Sequence, residues 1–549
     1  MHLLRPAKRN LIATWTALVL LPVCAFAQVP APPDYGPDNI NPATASLSDD
    51  SAAPVVEPVI EPVSTFAQPP LANAIPYGYF PSSDVQNAPG MGGYPSDYDR
   101  ESDPVPSYVY DRNYYDEIGI GARQLPDYAP PGYEARDYQS APGIPEFSRI
   151  SPPVVVPQAA REGLVVGGMF PGSFLAPGTD TSFRIRGFVR LQALGDFNPI
   201  GSRDSFVPNT IPVPQTTGRN FNMSARMSRI AFESWTPTDF CDWNVHTMIE
   251  GDFFNGTDQA AGGGGNPFRL RHAFFDFGFF RFGQQNSVFM NGNAWPSVVD
   301  FQGPNGWINQ RQPSARITLP VTERTLWAMA IERPFSDITT SGLGTGVQDS
   351  PDLTTHWRFE ADRGHVQISG LLRSIAYQPT GGGDVERHTA AAISGSTVFH
   401  PWALLLGTDP VHEDNPSGLT RSRIILQGTW GPGAARYVQD LVGQGLDAQV
   451  DPVTGEFNIV KSTAWNASYE HWYNEHWLSV FTYSVASVEN NVGMPGTTYS
   501  QGEYMAANLW WIPIPRMSFG IEYLRGQRDN FDGQSAEVNR INGLFQYNF

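Results

Sequence analysis

Arginines recur at strand-like spacing from residue 184 onward, and they are the residues here best suited to bind something. Arg184, Arg186 and Arg190 alternate with Phe183, Ile185, Val189 and Leu191, so one face of an extended segment is cationic and the other apolar. The same phase places Arg229, Arg271, Arg281, Arg316, Arg421 and Arg423 on polar faces, together with the acids Glu233, Glu250 and Asp252. A guanidinium stays charged and offers a planar fork to a carboxylate or phosphate. Rings of arginine around a channel favour anions. Two readings stay open: a ladder that selects organic anions, or a lining in which each arginine is neutralised by an acid. Lysine is nearly absent, at Lys8 and Lys461 only, so almost all positive charge is of the fork type.

Catalytic arrangements fare worse. His471 and His476, flanked by Glu470 and Glu475, fall at a strand–turn–strand rather than on one helix face, which suits an interface better than a metal. Gly262–Gly265 lacks the Lys and Ser/Thr of a phosphate loop. No Ser/His pair stands out on an outward face. The reading is therefore no enzyme, no cofactor and no metal site. A net charge of −19 excludes electrostatic nucleic-acid binding.

The elements that must carry these arginines are strands. Trp243, Val245, Ile249 and Phe253 alternate with Asn244, His246, Glu250 and Asp252, and Val366, Ile368 and Leu372 with Gln367, Ser369 and Arg373. The pattern gives sixteen strands between residues 182 and 549. Short links such as Phe277-Gly278, Asp362-Arg363 and His471–Asn474 alternate with long ones such as 197–220, 286–306 and 431–456. Short turns at one end and long loops at the other are the signature of a transmembrane antiparallel β-barrel. One link breaks the rule: His400–Ser417, with Pro401-Trp402-Ala403-Leu404-Leu405-Leu406, stands where a short turn is due. It is either an insertion or a sign that the count is fourteen or eighteen. Trp235, Trp430, Trp472, Trp477, Trp510 and Trp511 near strand ends fit interfacial girdles. The loop 286–306, holding Asp300, is either a constriction folded into the barrel or an external loop.

The rest of the chain sets the compartment. Arg5, Lys8 and Arg9, an apolar run from Leu11 to Leu21 and Ala25-Phe26-Ala27 read as a signal peptide over 1–27. Residues 28–162 are rich in Pro, Tyr and acids. Between 28 and 160 there are 18 Asp/Glu against 5 Lys/Arg and no apolar period, which predicts a disordered periplasmic extension. It reads as a spacer or as an arm for a periplasmic or cell-wall partner. Residues 163–549 are the barrel. Its last strand places Ile541, Gly543, Phe545, Tyr547 and Phe549 on one face and ends on Phe549. A terminal alternating aromatic strand is similar to the signal read by the barrel-assembly machinery, so outer-membrane lipid and that machinery are the expected partners.

Several strings, in order, carry a family resemblance: Phe183-Arg184-Ile185-Arg186-Gly187-Phe188-Val189-Arg190-Leu191, Ser228-Arg229-Ile230-Ala231-Phe232, Ile249-Glu250-Gly251-Asp252-Phe253 and Gly520-Ile521-Glu522-Tyr523. The chain resembles the DcaP-like trimeric outer-membrane porins. That resemblance implies a homotrimer of sixteen-stranded barrels in a Gram-negative-type outer membrane, passing small, mostly anionic solutes. Two departures stand out: the Pro/Tyr-rich tract replaces the family's helical N-terminal segment, and 400–417 is extra. A general or sugar-type porin and a structural outer-membrane protein using its acidic extension are the alternatives.

Overall fold

The computed structural model of the chain describes residues 166–168, 170, 172–240, 243–255, 266–410, 418–491, 493–514 and 516–549. The signal peptide and acidic extension read over 1–27 and 28–162, Cys241, and Gly262–Gly265 lie outside them.

Sixteen antiparallel strands close into one barrel. They are β1 (Ser182–Asp196), β2 (Asn220–Ser224 and Arg229–Pro237), β3 (Asn244–Asp252), β4 (Arg269–Phe277), β5 (Phe280–Asn286), β6 (Arg311–Thr322), β7 (Thr325–Glu332) and β8 (Asp352–Ala361). There follow β9 (Gly364–Pro379), β10 (Glu386–Phe399), β11 (Arg423–Pro432), β12 (Lys461–Trp472), β13 (Trp477–Val488), β14 (Tyr499–Ile514), β15 (Met517–Asn530) and β16 (Ser535–Asn548). Each strand pairs with its sequence neighbour, and β16 pairs with β1 from Arg540 opposite Asp196 to Asn548 opposite Phe188. Phe549 completes the seam: its N–H donates to the Gly187 carbonyl at 2.9 Å and its carbonyl accepts from the Gly187 N–H at 3.1 Å. Closure leaves no unpaired edge, which is what lets strands sit in hydrocarbon.

The alternation read from the sequence becomes two surfaces. Ile185, Val189, Phe232, Ile249, Phe282, Ile368, Phe481, Ile521 and Phe545 point outward and are exposed, forming the apolar band that meets lipid. Trp477, Trp511, Phe519 and Phe545 are direct cross-strand partners on β13–β16, with Trp511 and Phe519 rings stacked at 5.2 Å. They lie next to the short turns, where an interfacial girdle belongs.

The irregular 400–417 link proves to be an insertion. It opens with a short helix, α1 (Pro401–Leu406), capped by Gly407 in the left-handed conformation. The count of sixteen therefore stands without adjustment. At the opposite end, long loops pack on one another: Ile338–Thr339, Ala448–Val450 and Phe457–Ile459 form a three-stranded sheet over the mouth.

Candidate functional site: a half-lined lumen

The inner faces of β1 to β5 carry the sequence-predicted charges. Glu233 on β2 accepts from Arg184 at 2.5 Å and also pairs with Arg186. Glu250 on β3 pairs with Arg229 at 3.3 Å and Arg271 at 2.8 Å. Asp252 pairs with Arg271 at 3.2 Å and Arg269 at 2.7 Å. Each of these three carboxylates thus holds two guanidinium groups. A fourth, Asp276, accepts from Arg281 at 2.5 Å and sits 2.7 Å from the His246 ring. Arg281 also lies over the Phe274 ring, 3.9 Å from its centre.

Access divides the arginines. Arg184, Arg186 and Arg269 keep 25%, 30% and 30% of their side chains exposed, whereas Arg281 keeps 1%. Arg316 is buried and donates to Thr318 Oγ1 at 2.9 Å. Arg190 is buried too, lies over Phe301 and donates to the Val299 carbonyl. Arg423 belongs to another wall, where it pairs with Glu470 at 2.6 Å. Arg421 sits in the one-turn helix Leu419–Arg421, before β11.

The loop between β5 and β6 explains why Arg190 is covered. It runs inside the barrel, against strand after strand. Val288 N–H donates to Glu332 on β7 at 2.8 Å, and the Val288 carbonyl lies 2.8 Å from the His356 ring on β8. Asn291 reaches Ser396 on β10 at 2.8 Å. Ser297 N–H donates to Glu470 on β12 at 2.6 Å. Val299 and Asp300 N–H donate to Glu522 on β15 at 2.8 and 2.6 Å. Further on, Gly306 N–H donates to Ser484 on β13 at 2.8 Å, and Asn309 N–H to the Tyr437 carbonyl at 3.0 Å.

Apolar contacts seal the loop down. Val298 packs with Phe206, Ile211, Tyr504, Leu524 and Val538; Val299 packs with Trp472, Leu478, Trp510 and Leu544. Asp300 accepts from Phe206 N–H and Gly303 N–H, both at 3.0 Å, and its burial pushes its carboxyl up to about 6. The predicted constriction residue is thus a buried structural turn rather than a group facing solvent.

Phase alone identifies Glu332, Glu470 and Glu522 as inward-facing. Their role as acceptors for loop N–H groups was missed, because no sequence signal links strand positions to a loop some 40 to 220 residues away. Asp276 was missed for a local reason. The register slips between Glu250 and Gly251, Arg271 becomes the extra residue of a bulge, and His272 and Asp276 turn inward behind it.

Residues 176–386 match the model of the DcaP outer membrane protein family. The outer membrane channel DcaP of Acinetobacter baumannii shares the fold, with a TM-score of 0.58 and 19% identity over 70% of this chain and 100% of that one. An anion-selective porin from Comamonas acidovorans aligns over 67% of this chain and 100% of its own at 7% identity and a TM-score of 0.44, too distant to bear on selectivity. Among curated proteins, none matches this sequence. The barrel accordingly has an outer-membrane porin fold.

Proposed function

We propose that this barrel is a DcaP-type passive channel for small organic anions bearing a carboxylate, which pass along the β1–β4 wall. The observation that carries the reading is the sharing of carboxylates. Glu233, Glu250 and Asp252 are each claimed by two arginines, so Arg184, Arg186, Arg229, Arg269 and Arg271 outnumber them and the wall stays net positive. The ion pairs fix the forks in place, and the excess charge supplies the attraction. Arg184, Arg186 and Arg269 are the groups a solute can touch. The reading assigns no catalytic step, cofactor or metal.

The test is the reversal potential of the purified protein in a planar bilayer under a salt gradient, followed by block of the current with small dicarboxylates. Anion preference and concentration-dependent block are expected. A reversal potential near zero would favour the general or sugar-type porin, for which the close pairing of the lining speaks. A homotrimer, assembly through Phe549, and a spacer or partner-binding role for 28–162 remain part of the same proposal.

A further inference from the structure

The insertion at the short-turn end has a surface of its own. Leu404, Leu405 and Leu406 of α1 are 62%, 74% and 57% exposed, three adjacent leucines with no protein cover. The helix is fixed to the outside of the barrel, because Trp402 Nε1 donates at 2.9 Å to the hydroxyl of Tyr469, an outward residue of β12. Arg363, in the β8–β9 turn, donates through Nε to the Thr408 carbonyl at 2.7 Å and so brings a guanidinium to the same corner.

Above the helix the outer wall is hollow. Gly395 on β10 and Gly428 on β11 are direct cross-strand partners, and Trp465 on β12 is opposite Gly428. With Ile393, Trp430 and Thr463 they line a groove of about 340 Å³. Leu426, paired with Thr397 and Ala467, links this groove to the row Phe399–Ile424–Tyr469 beside the helix. The whole strip is continuous with the lipid-facing band.

We propose that this strip seats one phospholipid of the periplasmic leaflet. Its acyl chain lies in the Gly395–Gly428 groove, α1 rests in the interface with its leucines in the acyl region, and Arg363 faces the phosphate. Short turns of outer-membrane barrels are periplasmic, which places α1 at that leaflet. A short apolar helix with a tryptophan and a nearby cation suits the boundary between headgroup and chain. Water is a poor occupant, since it would leave three leucines and two tryptophans wet.

The test uses the full-length chain with Cys24→Ser and Cys241→Ser, carrying Leu405→Cys labelled with an environment-sensitive fluorophore. It is reconstituted into phosphatidylethanolamine/phosphatidylglycerol vesicles, with or without lipid bearing a doxyl group near the top of its chain. Quenching by doxyl lipid and protection from aqueous iodide are expected. Iodide quenching would overturn the proposal. So would protection from both quenchers combined with oxidative cross-linking of two Leu405→Cys chains, which would make a second copy the occupant. The groove is tested separately. A side chain at Gly395 or Gly428 starts in open space, with nothing within 4 Å of the new Cβ. Gly395→Leu with Gly428→Leu should fold with unchanged heat-modifiability and lose the phospholipid retained in native mass spectrometry. Unchanged lipid retention would overturn the acyl-chain seat.

Discussion

Replacing Glu522 by Ala should release the lumen loop without unfolding the barrel. Glu522 accepts the Val299 and Asp300 N–H groups at 2.8 and 2.6 Å and the Asn508 side-chain amide at 2.9 Å. Leaving a buried N–H without its acceptor costs about 1–3 kcal/mol, so losing the two backbone bonds withdraws about 2–6 kcal/mol from the docked loop. Every 1.4 kcal/mol is tenfold, which makes the undocked loop more than tenfold better populated. The strand ladders on either side of Glu522 are untouched, so heat-modifiable migration should not change. Two assays read the effect. Single-channel recordings should gain frequent transitions to extra conductance levels. Chymotrypsin should cut within 287–310, where Phe289, Trp295, Phe301 and Trp307 are held against the wall in the native chain. Glu522→Gln keeps one carbonyl oxygen and should fall between. A Glu522→Ala channel as quiet and as protease-resistant as the native one would refute the tethering argument.

Four further outcomes are expected. Arg184→Ala with Arg186→Ala leaves the buried Glu233 unpaired and should lower anion over cation permeability several-fold, contacts of this kind being worth about 1–4 kcal/mol; Glu233→Gln should shift the reversal potential the other way, and no change in either would reject the wall as selector. Burial raises the carboxyls of Asp300 and Asp440 from their usual 3.8 to about 6, so their contribution to loop docking is complete below about pH 4 and is lost as pH rises through 6; recordings should be quieter at pH 5 than at pH 8, with Arg540, Arg190 and Glu522 as the charged neighbours of Asp300, and Asp300→Asn should flatten part of the trend. Deleting Phe549 removes both seam bonds to Gly187 and should lower the amount of assembled barrel in outer-membrane fractions, equal amounts counting against the seam. A chain starting at Gly163 should insert and conduct like the full one if 28–162 is a spacer; much larger currents would make it a gate, and failure to fold would move the domain boundary.

The barrel was legible because β-structure writes itself at period two. Ile185, Val189 and Leu191 against Arg184, Arg186 and Arg190 require one apolar and one polar face, and the alternation of short turns with long loops puts the apolar face in lipid and the polar one in the lumen. The strand count survived the 400–417 irregularity because a proline-led helix can be inserted at a rim without disturbing the pairing of Phe399 with Ile424. What phase cannot give is accessibility. Arg184 and Arg190 read alike in the sequence, yet one is a quarter exposed and the other lies under the Val299 carbonyl. Nor does phase survive a bulge: the extra residue Arg271 reverses the inward set of β4 and hides Asp276 from a simple count.

The uneven interior was written in the inward positions themselves. On β12 to β16 these include Ala464, Leu478, Val480, Ala486, Ala506, Leu524, Val538 and Leu544, all buried. A strand whose inward face is apolar, like its outward one, cannot be lining a water-filled passage; something apolar must cover it. Here that cover is the loop with Val298 and Val299. On β1 to β4 the inward positions, beside the small cluster Ala231, Met248 and Phe274, include Arg184, Arg186, Arg229, Arg269 and Arg271 with Glu233, Glu250 and Asp252, which need water or each other, and the loop, which covers only Arg190 and Gln192 at the start of this wall, cannot cover them at the same cost. The two compositions therefore determine together where the loop lies and which wall stays polar. Moving an apolar face to β1–β2 by Arg184→Leu, Arg186→Leu and Glu233→Leu should draw the loop toward that wall and close the conductance, while the same three positions changed to Gln should keep it open.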